Sequence, residues 1–169
     1  EARWFYFHPG VNPVSLVRAF CQNLKSGEII SGGSTLTMQV ARMLERRPRT
    51  YQSKLIEICR AVELELRYSK KEILTFYFNL APYGGNIQGV AAASRLYFGK
   101  APDQLGPAEI ALLVALPQSP ETRRPDLHPQ NAEQARNRVL TRLAERHVIS
   151  GEEYRRAVST PVPKAREEL

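Results

Sequence analysis

An all-α fold is expected from three features of the sequence. Apolar residues recur at spacings of three and four in one segment after another. Capping residues and Pro or Gly punctuation separate those segments. No run alternates apolar and polar side chains well enough to define a strand, although a short hairpin stays open.

The elements follow in order. Asn12 can cap a helix with Pro13 at its first position, and Leu16, Val17, Phe20, Cys21 and Leu24 continue it until Gly27. The loop Ser31-Gly32-Gly33 leads into a second helix over about Ser34–Leu44, and Pro48 ends that region. A third helix spans about Tyr51–Arg67. Leu55, Ile58, Cys59, Val62 and Leu66 form its apolar stripe, and Lys54, Glu57, Ala61 and Glu65 share a different face. Ser69 and Glu72 make a capping box for a fourth helix ending near Asn79. Pro82-Tyr83-Gly84-Gly85 reads as a turn. Further helices are expected near Gln88–Tyr97, Pro107–Ala115, Pro129–Arg146 and Ser150–Val158. Pro161 and Pro163 then mark residues 161–169 as a linker, so the domain covers 1–160.

The bulk properties bound the partners. A length of 169 residues suits one domain, and 43% hydrophobic residues supply a core, which excludes a disordered chain. The formal net charge of +7 favours an anionic partner: nucleic acid, a membrane surface or phosphate groups. The two cysteines, Cys21 and Cys59, each sit in an apolar stripe and read as buried free thiols; a disulfide requires the two stripes to face each other. No metal-type Cys-x-x-Cys spacing occurs. The longest apolar run, Ile110 to Pro117, falls well short of the roughly 20 residues that cross a bilayer. With Glu1-Ala2-Arg3-Trp4 at its start, the sequence reads as an internal fragment of a longer protein.

Three constellations could carry chemistry. The first is Glu1 with Phe5, His8 and Gly10. Desolvation beside aromatic rings raises a carboxylate's proton affinity and suits a general base. Viewed alone, Glu1 reads first as an ordinary terminal residue on a solvated surface. The second runs Gly32-Gly33-Ser34-Thr35-Leu36-Thr37-Met38-Gln39 and on to Arg42. Glycines ahead of a helix let backbone amides approach a phosphate. The plainer reading is a Ser or Thr cap after a turn, and the Gly-Lys-Ser/Thr ending of a Walker loop is absent. The third is Lys54, Glu57 and Arg60: either a solvated ion pair of little consequence, or a phosphate-binding cation beside a second carboxylate.

Together and in order, these segments resemble glycosyltransferase family 51, the peptidoglycan glycosyltransferases of class A penicillin-binding proteins. Glu1-Ala2-Arg3-Trp4-Phe5-Tyr6-Phe7-His8-Pro9-Gly10 is similar to the family's first motif, and Gly32 through Arg42 to its second. Lys54 to Glu57, reaching Ala61 and Glu65, is similar to the third. Ser69-Lys70-Lys71-Glu72-Ile73-Leu74, with Tyr77, Asn79 and Gly84, is similar to the fourth. The likeness continues through Tyr97-Phe98-Gly99-Lys100 and covers nearly the whole chain.

The resemblance implies an all-α, lysozyme-like domain, truncated at its N-terminus, that polymerises lipid II. Glu1 would be the base that takes the proton of the acceptor sugar's 4-hydroxyl. Glu57 would be the second catalytic glutamate, acting at the diphosphate with a divalent cation, magnesium or manganese, for which it is the metal-ligating candidate. His8, Gly33, Ser34, Thr35, Gln39, Arg42 and Lys54 would bind substrate. The implied partners are lipid II, the growing lipid-linked glycan strand, the membrane surface and a transpeptidase domain in the parent chain. The implied place is the outer, periplasmic face of the cytoplasmic membrane, through an anchor outside this sequence. Nucleic acid is not an expected partner, since no helix-turn-helix pattern occurs.

Four positions depart from the family pattern: Ala2 for a usual Asp, Met38 for Gln, Arg42 for Lys and Ser53 for Arg. Arg42 keeps charge with different geometry. Ala2 loosens the expected positioning of Glu1, and together with Ser53 it keeps open a degenerate synthase that binds but turns over poorly. A lysozyme-like hydrolase would share fold and catalytic glutamate without needing the Ser34–Arg42 motif. A free amino group on Glu1 would favour the ionised carboxylate, so low activity is expected of this fragment alone.

Overall fold

The structure is a computed structural model that describes residues 5–7, 34–48 and 50–166. The chain divides into two compact units, Glu1–Leu80 and Ala81–Leu169. The described residues form α-helices, short 3-10 turns and no strand longer than an isolated bridge, so the all-α expectation holds among them. None of these helices is long and apolar enough to cross a membrane. The expected helix after Asn12 and the residue Cys21 lie outside the described residues.

The first unit brings three helices together: α1 (Leu36–Leu44), α2 (Tyr51–Arg67) and α3 (Lys70–Leu80). Each begins where a side chain can replace a missing backbone partner. Thr35 caps α1, its hydroxyl accepting from the Met38 amide at 3.2 Å. This is why α1 starts two residues after Ser34. Thr50 caps α2 by accepting from the Ser53 amide at 3.1 Å. Glu72 accepts from the Ser69 amide at 2.8 Å while Ser69 Oγ accepts from the Glu72 amide, the reciprocal box read in the sequence. The Ser69 hydroxyl, which also donates to Glu72 Oε2 at 2.7 Å, and then the Ser69 amide hold the Glu72 carboxyl below its ordinary range. Phe5, Val40 and Ile73 form the buried centre, ringed by Leu36, Met43, Leu64 and Phe76.

One sequence reading is reversed in α2. Its periodic apolar stripe is not the packed face: Leu55 is 64% exposed, Leu66 82%, and Cys59 is an exposed free thiol rather than a buried one. The face carrying Lys54, Glu57, Ala61 and Glu65 packs instead, with Ala61 fully buried. The cause is local. Ala61 has no bulk to hold α1 away, and the flanking carboxylates find hydroxyl and ammonium partners there. Buried polar groups are tolerated when hydrogen-bonded, which an apolar-periodicity rule does not weigh.

The second unit contains α4 (Val90–Phe98), α5 (Pro107–Ala115), α6 (Pro129–Glu145) and α7 (Gly151–Ser159). Ala108, Ala111, Leu140 and Ala157 let α5, α6 and α7 approach closely, and Val139, Ile149, Tyr154 and Val158 fill around them. Ser150 and Glu153 cap α7 reciprocally. Arg136 is buried and donates to the Val158 carbonyl at 3.0 Å and to the Thr160 carbonyl, where a cation complements the helix C-terminus. The turn before α4 makes one antiparallel bridge, Pro82 to Gln88, with the Tyr83 amide donating to the Ile87 carbonyl at 2.9 Å. Gly84 at φ 105° makes this turn possible. Within the stretch read as linker, Val162 is buried and Arg166 pairs with Asp126 at 3.2 Å.

Candidate active site

Three side chains from two motifs meet at the entrance to α1. Ser34 lies just before the cap residue Thr35, and Lys54 and Glu57 stand one turn apart on the packed face of α2. The Lys54 ammonium donates to Ser34 Oγ and lies 3.2 Å from Glu57 Oε1. Ser34 Oγ is itself 3.4 Å from the same carboxylate oxygen. Glu57 has a side chain only 10% exposed, whereas Lys54 keeps 35% of its own open to solvent. A partly open cation beside a hydroxyl, at the positive end of a helix, is an arrangement for an anion with several oxygens.

The remaining candidates divide by role. Thr35 is buried and its hydroxyl serves the α1 cap, so its position is fixed by the fold. Gln39 and Arg42, three apart on α1, lie off its buried face; Gln39 is half-buried and Arg42 exposed. Glu1, His8 and Gly33 lie outside the described residues.

Glu57 was also the expected metal ligand. Divalent cations such as magnesium need several oxygen donors. Among the described residues no three His, Cys, Asp or Glu side chains gather to hold a metal ion. The Glu57 oxygen that faces the site already has Lys54 and Ser34 against it. Among the described residues, these donors do not by themselves make a divalent-ion site.

A second polar junction lies further along α2. Glu65 accepts from Thr37 Oγ1 at 2.5 Å and from the Lys70 ammonium at 2.7 Å. Its side chain is 9% exposed. Sequence reasoning placed Glu65 on the right face but gave it no partner. The signal was the 54-57-61-65 spacing, which the apolar stripe outvoted.

Comparison with known proteins follows the same pattern. The transglycosylase family model matches residues 1–144. Penicillin-binding protein 1C of Escherichia coli is 52% identical over 96% of this chain and 21% of its own length. Penicillin-binding protein 1A of Aquifex aeolicus is 41% identical over 99% of this chain and 23% of its own. A transglycosylase-family protein of Cupriavidus necator is 41% identical, covering 96% of this chain and 70% of its own. The crystal structure of penicillin-binding protein 1A from Haemophilus influenzae matches 78% of this chain and 17% of its own, at 26% identity and a TM-score of 0.48. The chain belongs to the transglycosylase family. It spans about a fifth of the length of the penicillin-binding proteins named first.

Proposed function

We propose that this chain is the glycosyltransferase domain of a peptidoglycan synthase, joining lipid-linked disaccharides into glycan strands at the outer face of the cytoplasmic membrane. The reading rests on the Lys54 ammonium, placed between Ser34 and Glu57 at the start of α1, in a chain of the transglycosylase family. The basic balance of +7 suits a substrate and a membrane surface that are both anionic.

In the proposed reaction the 4-hydroxyl oxygen of an incoming lipid II attacks the anomeric carbon of the lipid-linked strand. The new glycosidic bond forms as the anomeric carbon–oxygen bond to the diphosphate breaks, and configuration inverts. The hydroxyl proton passes to the Glu1 carboxylate. Undecaprenyl pyrophosphate leaves with the electron pair. Lys54, Ser34, Arg42 and the helix N-terminus meet that growing charge, stabilising the transition state more than the ground state. The diphosphate is already an acidic leaving group, so no protonating acid is needed. Glu57 holds the Lys54 ammonium in place and keeps its charge compensated when no substrate is bound.

The test is polymerisation of labelled lipid II by the intact parent protein. Wild type should yield glycan polymer and release diphosphate-linked lipid, and Glu1→Gln should lose product about 100-fold or more. Cleavage of finished strands, without polymer from lipid II, would replace this reading by the hydrolase one. A wild-type protein that binds lipid II and makes no polymer would place the chain among degenerate synthases.

A further inference from the structure

The junction around Glu65 has no place in the proton and charge transfers above, yet it is built from the most buried ionic group among the described residues of the first unit. Glu65 stands eight residues beyond Glu57 on the same face of α2, roughly 12 Å along the axis at 1.5 Å per residue. Fully buried Ala61 lies between them, so α1 rests directly on α2. At one end of this contact Lys54 and Glu57 hold Ser34, just before α1. At the other, Glu65 holds Thr37, the second residue of α1. The first turn of α1 is thus pinned at two points on a single helix face.

Glu65 also reaches the third helix. Lys70, the first residue of α3, donates to it at 2.7 Å, and the same ammonium lies 4.6 Å from the centre of the Phe5 ring. Phe5 is 3% exposed and packs on Val40 and Ile73. In sequence Phe5 follows Glu1 by four residues. A single carboxylate therefore ties together the first turn of α1, the start of α3 and the segment next to the proposed base. A cation over a ring is worth most when desolvated, as Lys70 is here with its side chain 21% exposed.

We infer that Glu65 is a positioning residue for glycosyl transfer: through Thr37 and Lys70 it fixes the amide-bearing first turn of α1, with Ser34 and Thr35, against Lys54 on α2. This rests on the glycosyltransferase reading for its kinetic consequence, but not for its structural one. Displacement of such a turn by about 1 Å can cost on the order of 100-fold in rate. The loss falls on kcat more than on KM, because the charge these groups meet is largest in the transition state.

Glu65→Gln, Thr37→Val and Thr37→Ser in the intact parent form the test, with lipid II polymerisation and amide hydrogen exchange over residues 34–39 measured on each. Glu65→Gln and Thr37→Val should lower kcat about tenfold to 100-fold, change KM less than about threefold and speed exchange in that turn. Thr37→Ser keeps the hydroxyl and should restore both. Wild-type kcat in Glu65→Gln and Thr37→Val, or Ser and Val behaving alike at position 37, would overturn the inference. If Glu65→Gln fails to fold, the Thr37 pair decides alone. If wild type makes no polymer, the glycosyltransferase reading falls and exchange still judges the junction: unchanged protection in Thr37→Val would refute it.

Discussion

Lys54 Nζ and Glu57 Oε1 lie 3.2 Å apart on α2, and the hydroxyl of Ser34 sits against both. An i,i+3 pair on an exposed helix contributes little, because water screens it and side-chain entropy opposes it. This pair differs by its surroundings. The carboxylate is nearly buried, the ammonium is partly open, and a hydroxyl from the preceding segment closes the group. Glu57 thereby fixes a cation at a place where a helix start also offers backbone amides.

Replacing Lys54 by Met should lower the polymerisation rate of the intact parent about 100- to 1,000-fold, the scale of losing one preorganised group that faces developing charge. Lys54→Arg should recover only part, since a planar fork cannot occupy the point between Ser34 and Glu57 in the same way. Steady-state kinetics with lipid II measure both. A Met variant within threefold of wild type would remove Lys54 from the site.

Much of the fold was legible because the helix boundaries are chemical. Thr50, Ser69 and Ser150 each set a start, and Pro107 and Pro129 each occupy a first helical position. The site was legible in part for the same reason: Ser34 and Thr35 are what a helix entrance requires, and Lys54 with Glu57 gave one turn of spacing. What the sequence hid is which side of α2 turns inward. Leu55, Val62 and Leu66 outweigh Ala61 in any count of apolar bulk, yet Ala61 is the buried one. The deciding contacts, Thr37 and Lys70 to Glu65 and Ser34 to Lys54, join residues 5 to 28 positions apart. No local pattern announces them.

Gly84 tests the turn of the second unit. Its φ of 105° is one that side chains rarely adopt, and an added Cβ would overlap Arg124 Cγ while lying 3.1 Å from the Pro120 carbonyl oxygen. Gly84→Ala should therefore destabilise the unit by about 2–4 kcal/mol, combining backbone strain and overpacking. Thermal unfolding of the parent, followed by calorimetry, provides the measurement. A change under about 0.5 kcal/mol would mean that Arg124 can move aside freely.

Asp126 supplies the pH dependence of that same region. Arg124 binds its carboxylate at 2.6 and 3.2 Å through two nitrogens, and Arg166 lies 3.2 Å away. The hydrogen bonds from Arg124, with the charge of Arg166 adding, hold the Asp126 carboxyl below the usual aspartate range. Because the folded value is lowered, the pairing contributes fully above the unfolded value near about 4 and is lost as pH falls through the lower folded value. Asp126→Asn should cost roughly 2 kcal/mol at neutral pH, the scale of hydrogen bonds to a charged group. It should also flatten the stability profile below about pH 4, since the variant has no proton to take up at that position. Urea unfolding of the parent at pH 7 and at about pH 3 measures the difference. Equal wild-type and Asn stabilities at pH 7 would show that the two arginines gain nothing from the carboxylate; a gap as wide at low pH as at neutral pH would show that the lowered proton affinity is not what the pair contributes.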